Sequence, residues 1–209
     1  MAGGLDAACG TLGAGVIHSG ETQEQGGQAG GMSICTDQYR ADKRLILGFH
    51  VVPDCWLLQG GTTGGGGVMR WLEREFGAYE REEGKRQGKS SLDLFNEEAA
   101  AVAPGSDGVI FLPYMSGERT PIWDPNAKGV YYGLDFSKTK GHFIRAAMEG
   151  TAYALKHNLD VAEEAGAKVE VLRAMGGSAN SLLWTQIKLT SQENQLLFHP
   201  LTQQQHSVQ

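Results

Sequence analysis

Four short stretches of this 209-residue sequence carry residue types and spacings suited to chemistry. Asp6 stands in Gly3-Gly4-Leu5-Asp6-Ala7-Ala8, where small neighbours would leave a carboxylate room at the floor of a cleft. In phosphoryl transfer the accepting hydroxyl must lose a proton, and the transition state is loose, so the proton leaves late. A weak base of reference pKa about 3.9 then suffices, and such a base contributes on the order of 10²–10⁴ in rate. The same aspartate also reads as an ordinary helix N-cap.

Two glycine clusters could approach a ligand closely, and a third, at 60–67, only resembles them. In Met175-Gly176-Gly177-Ser178-Ala179-Asn180-Ser181 a strand ends in two glycines before a helix. Missing Cβ atoms admit a ring or phosphate to the backbone, and N–H groups at a helix start favour negative charge. In isolation the stretch also fits a plain strand-to-helix turn. Gln25-Gly26-Gly27-Gln28-Ala29-Gly30-Gly31 could wrap phosphates with hairpin amides or be an ordinary hairpin. The run Gly60 to Gly67 lacks the Gly-Lys-Ser/Thr ending of a P-loop, and no clear acidic ribose ligand follows it. It reads as a flexible lead-in to a helix from Val68. Ser116-Gly117-Glu118-Arg119-Thr120-Pro121 reads as a rigid cleft wall or as a loop held by its own salt bridges and Pro121.

The elements that must position these residues alternate strand and helix. A helix or strand start is expected at Ala7–Ala14, a strand at 15–18, and strands at Gly30–Thr36, Arg44–Phe49 and Trp56–Gln59. Val68, Met69, Leu72 and Phe76 have helical spacing. The charged stretch 77–89 reads as a surface excursion, and Ser91–Val102 as a helix capped by Ser90 or Ser91. A buried strand at Gly108–Leu112, a long loop at 113–128 and an extended stretch at Gly129–Leu134 follow. His142–Ala165 is the strongest helix: Phe143, Ala147, Thr151, Leu155, Leu159 and Ala162 make an apolar stripe opposite Arg145, Glu149, Lys156, Asp160 and Glu163. A strand at Val169–Met175 and a helix at Ser181–Lys188 complete the pattern.

Composition narrows the function classes. Net charge is −6 with no basic block, which argues against nucleic acid as a partner. No stretch approaches the ~20 apolar residues of a membrane span, and Met1–Gly20 has no signal-peptide pattern. Cys9, Cys35 and Cys55 lack metal-ligand spacing, so no metal site is expected from side chains, and reduced, mostly buried thiols in a cytoplasmic protein are.

Together these stretches resemble the C-terminal domain of the FGGY carbohydrate kinases over roughly residues 2–188. The most specific likeness is Gly129-Val130-Tyr131-Tyr132-Gly133-Leu134, seven residues, then His142-Phe143-Ile144-Arg145-Ala146-Ala147-Met148-Glu149, which fits the family's second signature. The wording of the 112–121 loop is most similar to xylulokinases. The resemblance implies an α/β fold, an actin-like (ribonuclease H-like) ATPase lobe with a mixed five-stranded sheet flanked by helices. It implies Asp6 as catalytic base, Gly27, Gln28, Ala29 and Gly30 as a phosphate loop, and Gly176, Gly177, Ser178 and Asn180 as an adenosine motif. It also implies ATP and Mg²⁺, a small sugar substrate, D-xylulose first, with another polyol or a non-catalytic nucleotide-binding domain as alternatives. Gln28 and Ala29 depart from the Thr or Ser common after the loop's first glycine. The expected organisation is an incomplete ATP-side domain at 1–188 with a divergent, disordered tail at 189–209. A sugar-binding lobe would precede Asp6, the fragment alone would be inactive, and apolar faces left bare would favour a homodimer.

Overall fold

The computed structural model describes residues 5–192 and the backbone of 197–198. Its centre is a mixed sheet of β1 (Glu21–Gly26), β2 (Gly30–Thr36), β3 (Ile46–Phe49), β4 (Trp56–Thr62), β7 (Val171–Met175) and β8 (Leu197–Phe198), ordered β3-β4-β2-β1-β7-β8. The strands β1 to β4 pair antiparallel, whereas β7 lies parallel to β1 and β8 parallel to β7. The five strands the sequence implied are therefore joined by a sixth. Leu189–Ser191 continue the last helix, so ordered structure runs past residue 188. The remaining expectation for the tail falls outside the described residues, as do Gly3 and Gly4.

Successive residues of a strand face opposite sides, and β2 shows it. Ile34 joins Met32, Leu58, Leu155, Leu159 and Leu172 in a core beneath the helix α5 (Lys140–Glu164). Its neighbour Cys35 packs with Ala14, Val16, Cys55 and Met175 on the other face, at the end of α1 (Asp6–Gly13). A second core lies beyond α5. There α2 (Gly66–Phe76), α4 (Ser91–Ala100) and α6 (Leu182–Ser191) enclose Phe95, Ile144, Met148 and Trp184. Burying each such large side chain contributes roughly 1.5–3 kcal/mol. A short hairpin of β5 (Ile110–Leu112) and β6 (Val130–Tyr132) borders this core through Phe111 and Tyr131.

Several sequence expectations need correction. Residues 15–18 are not a strand; the strand is β1, whose polar Glu-Thr-Gln-Glu-Gln run hid it. The charged excursion is a helix, α3 (Ala78–Gln87), ended by the left-handed Gly88. In β5 only Phe111 is buried, and Ile110 and Leu112 face outward. Along α5 the face opposite the apolar stripe is buried at Arg145 and Glu149, whereas Lys156 and Asp160 are half-buried and Glu163 is exposed. Arg145 and Glu149 pair at 2.8 Å inside the protein, and Glu149 accepts hydrogen bonds from the Gly105 amide and the Ser106 hydroxyl. Ser90 is the cap of α4, sharing a capping box with Asp93. Cys9 is exposed, against the expectation of mostly buried thiols.

Candidate functional site

The hairpin between β1 and β2 closes at the Gly26–Gly30 pair, leaving Gly27, Gln28 and Ala29 as its turn. The carbonyls of Gly27 and Gln28 accept hydrogen bonds of 2.8 and 2.9 Å from the amides of Gly66 and Gly67, the first residues of α2. The amides of Gly27, Gln28 and Ala29 find no acceptor among the described residues. A backbone that uses its carbonyls internally and leaves consecutive N–H groups free can receive an anion.

The run Gly60–Gly67 is no flexible lead-in. Gly60 and Gly61 belong to β4, and Gly64 to Gly67 press directly on the hairpin and on the 113 region. A Cβ at Gly65 would overlap the Ala29 backbone, and one at Gly64 the Pro113 carbonyl. Glycine is needed here for main chain to meet main chain.

The turn after β7 reaches the same seam. Gly176 has φ of +87°, a left-handed value that favours glycine, and a Cβ there would stand 2.9 Å from the Gly26 carbonyl oxygen. Gly177–Asn180 form a 3-10 turn, so α6 does not start directly behind the glycine pair. It starts at Leu182, where the Ser181 hydroxyl caps it by accepting from the Trp184 amide at 3.1 Å and donates to Asn96 at 2.9 Å. Gly177, Asn180 and Ser181 line one side of a cavity of about 300 Å³, with Met69, Met148 and Trp184 among its apolar walls. Apolar walls with a few polar groups suit a flat heterocycle carrying a polar appendage. Ser178 turns the other way: it is buried, and its hydroxyl accepts from Lys188 at 2.8 Å.

Asp6 is exposed and is the first residue of α1, not its cap, since Leu5 holds that position. Among the described residues its carboxylate accepts only the neighbouring Ala7 amide, at 2.8 Å. Gln23 of β1 ties α1 to the site strands: it accepts from Thr11 at 2.9 Å and donates to the sulfur of Met175 at 3.5 Å. The structure thus gathers Gly27 to Gly30, Gly176, Gly177, Ser178 and Asn180 around one seam and its adjoining cavity. It sets Asp6 apart, on a helix anchored to the same two strands.

The 116–121 loop is fixed differently from expectation. Glu118 makes no salt bridge with Arg119. It is buried and accepts from the Thr62 hydroxyl at 2.6 Å, the Thr63 amide at 3.0 Å and the Arg119 amide at 2.7 Å. Thr120 bonds both backbone groups of Gly61, which leaves the exposed Arg119 side chain beside β4.

Sequence reasoning overlooked the charged pair behind the seam. Glu24 and Lys188 meet at 2.7 Å, 4 % and 5 % exposed. Burial pushes the Glu24 carboxyl up, against the pull of the Lys188 ammonium. Once β1 is recognised as a strand, its alternation places Glu24 on the core side with Thr22, and a carboxylate there calls for a partner.

No group of three His, Cys, Asp or Glu able to hold a metal occurs among the described residues. Magnesium that enters on phosphate oxygens needs only one or two carboxylates from the protein. The exposed Asp6 is a carboxylate of the kind that pattern uses, whereas the hairpin amides could serve phosphate oxygens and not the cation.

Residues 31–188 match the profile of the FGGY family of carbohydrate kinases, C-terminal domain. The chain belongs to this family. The matched span contains Gly176, Gly177, Ser178 and Asn180, and begins just after Gly30. A gluconokinase of Bacillus subtilis is 35% identical over 187 residues, covering 88% of this chain and 36% of that protein. A xylulose kinase of Staphylococcus epidermidis is 34% identical over 191 residues, covering 90% of this chain and 36% of that protein. The crystal structure of a xylulose kinase from Rhodospirillum rubrum superposes with a TM-score of 0.83 at 30% identity, over 95% of this chain and 39% of that one. The chain thus spans little more than a third of the relatives it matches, and its mixed sheet flanked by helices is the actin-like ATPase fold of these FGGY kinases. The signature at 129–149 is structural: the Tyr131 hydroxyl donates to the Phe143 carbonyl at 3.0 Å, and Arg145 pairs with Glu149. No helix among the described residues is long and apolar enough to cross a membrane.

Proposed function

We propose that this chain is the nucleotide-side lobe of an ATP-dependent sugar kinase whose acceptor is a hydroxyl of a ketopentose, D-xylulose first. The observation that carries the reading is the run of free amides at Gly27, Gln28 and Ala29 beside the cavity edged by Gly177 and Asn180. The cavity would take the adenosine, and the hairpin amides would hold the phosphates and the charge that develops on them. Gln28 and Ala29 supply no hydroxyl, so the loop would rely mainly on its peptide N–H groups. Asp6 would accept the proton of the sugar hydroxyl as that oxygen bonds the γ-phosphorus and the bond from phosphorus to the β–γ bridging oxygen breaks. Magnesium would enter with the nucleotide and offset phosphate charge, with Asp6 the exposed carboxylate available to it or to its waters.

A gluconokinase and a xylulose kinase match this chain about equally well, so gluconate is the second acceptor to test. Calorimetry with MgATP, MgADP and MgGTP on the 209-residue chain tests the lobe assignment. Binding of adenine nucleotides in preference to GTP is expected, and no binding of any of the three refutes it. Turnover assays with D-xylulose and D-gluconate on a protein containing this region together with a sugar-binding lobe decide the acceptor. Faster turnover of gluconate would replace D-xylulose.

A further inference from the structure

Lys188 of α6 lies under the seam and touches three of its parts. Its ammonium donates to Glu24 of β1 at 2.7 Å and to the Ser178 hydroxyl at 2.8 Å, and stands 5.0 Å from the centre of the Trp184 ring. Trp184 is also a wall of the nucleoside-sized cavity. Glu24 lies two residues before the hairpin turn. Ser178 lies in the turn after β7 and sits so close under Gly26 that a Cβ there would overlap its hydroxyl. All three polar side chains are at most 5 % exposed. The second carboxylate oxygen of Glu24 has no partner among the described residues, and a void of about 20 Å³ beside it has room for one water. Two charges taken out of water are costly, and an apolar pair of the same volume often does as well or better for stability. Stability is therefore a poor account of the pair, whereas geometry is a better one. A single ammonium with directional donors fixes the distance between hairpin and turn to within a hydrogen-bond length.

We propose that Glu24, Lys188 and Ser178 are positioning residues that lock the phosphate-side hairpin to the nucleoside-side turn, so that one ligand can span both. The lock is a statement about the free chain, and its consequence for ligands rests on the nucleotide reading above. An intact lock should favour ADP, which reaches both parts, over adenosine, which reaches one.

The test compares wild type with Lys188→Met and with the double variant Glu24→Gln/Lys188→Met, which leaves no unpaired buried charge and serves as the folding control. Two quantities are read. Amide hydrogen exchange in the free chain is read in two segments whose amides are bonded: 66–67, which donate to the hairpin carbonyls of Gly27 and Gln28, and 179–181, where Ala179 and Ser181 donate to Gly176 and Ser178. Calorimetry gives the ratio of adenosine to ADP dissociation constants. In the double variant, exchange is expected to rise at least ~10-fold in both segments together while α4 and α5 keep their protection. The ligand ratio is expected to fall ~10-fold, mostly through weaker ADP binding. Unchanged exchange in both segments, or a rise spread evenly over the domain, overturns the lock. A ligand ratio restored to wild type in the double variant overturns it as well, because charge balance alone would then explain the pair. Wild type that binds neither ligand, with exchange still rising in the two segments alone, refutes the nucleotide reading and supports the lock.

Discussion

Substituting alanine at Gly65 is the most discriminating perturbation of the seam. A Cβ there would stand 2.7 Å from the Ala29 carbonyl oxygen, and closer still to the Ala29 carbonyl carbon and the Gly30 nitrogen, where ordinary contact begins at 3.4 Å. These are main-chain atoms that cannot rotate aside, so the hairpin must retreat from α2 by about 0.7 Å or more. The seam hydrogen bonds, now 2.8 and 2.9 Å, would stretch to the limit of useful geometry. Two weakened bonds cost about 1–3 kcal/mol, and the overpacking itself about 1–3 kcal/mol more. For a domain of this size a loss of about 2–6 kcal/mol lowers Tm by about 5–20 °C. Gly27→Ala is the matched control, because a Cβ there meets nothing nearer than the Ala29 oxygen at 3.8 Å. Thermal unfolding followed by circular dichroism should show a large fall for Gly65→Ala and a shift of at most ~2 °C for Gly27→Ala. Equal Tm values for the two variants would refute the claim that the seam is close-packed backbone.

Other outcomes follow from the same geometry. In a protein that joins this region to a sugar-binding lobe, Asp6→Asn should lower turnover by several powers of ten, more than general-base loss alone (about 10²–10⁴) if the carboxylate also orients the hydroxyl. ADP affinity measured by calorimetry should stay within about threefold, since Asp6 lies off the seam. Glu118→Ala removes the acceptor of three hydrogen bonds from the 62–63 and 119 positions, so a loss of about 2–4 kcal/mol in urea unfolding is expected. Glu98 is pushed up to about 7 by burial and by the neighbouring Glu80 carboxyl, with Lys140 opposing. Its folded pKa lies above the ordinary carboxylate value, so its contribution is full below about 4.5 and is lost as pH rises through 7. Glu98→Gln should therefore flatten the fall of Tm between pH 5 and pH 8, and an unchanged profile would assign that fall elsewhere.

How far the sequence could be read depended on where each signal lay. Helices with apolar periodicity, such as α2 and α5, were legible because burial on one stripe is written as spacing. The strand β1 was not, because both of its faces satisfy polar side chains through partners distant in the chain: Gln23 through Thr11, Glu24 through Lys188. Pattern rules assume that core positions are apolar, and these are polar and paired. The charged faces of Arg145 and Glu149 misled for the same reason. Among the site residues, the glycines at 27, 30, 176 and 177 were visible as glycines, whereas the role of 64–67 was not. A glycine that faces a ligand and one that faces another strand look alike until the fold brings the second backbone into place.

The fixing of the β1–β2 turn has a consequence for how this chain can vary. The turn meets α2 through its own carbonyls, and the groups it leaves free are its own amides, so neither that contact nor the donors belong to a side chain of the turn itself. Codon changes at positions 28 and 29 cannot delete them. Any residue except proline, which lacks the N–H, supplies the same donor and the same acceptor. On the proposed reading, side-chain identity in the turn is insulated from its chemistry, and glutamine and alanine would serve there. Within the turn and the glycines that face it, mutational damage would come by two routes: a proline in the turn, or added bulk on those glycines.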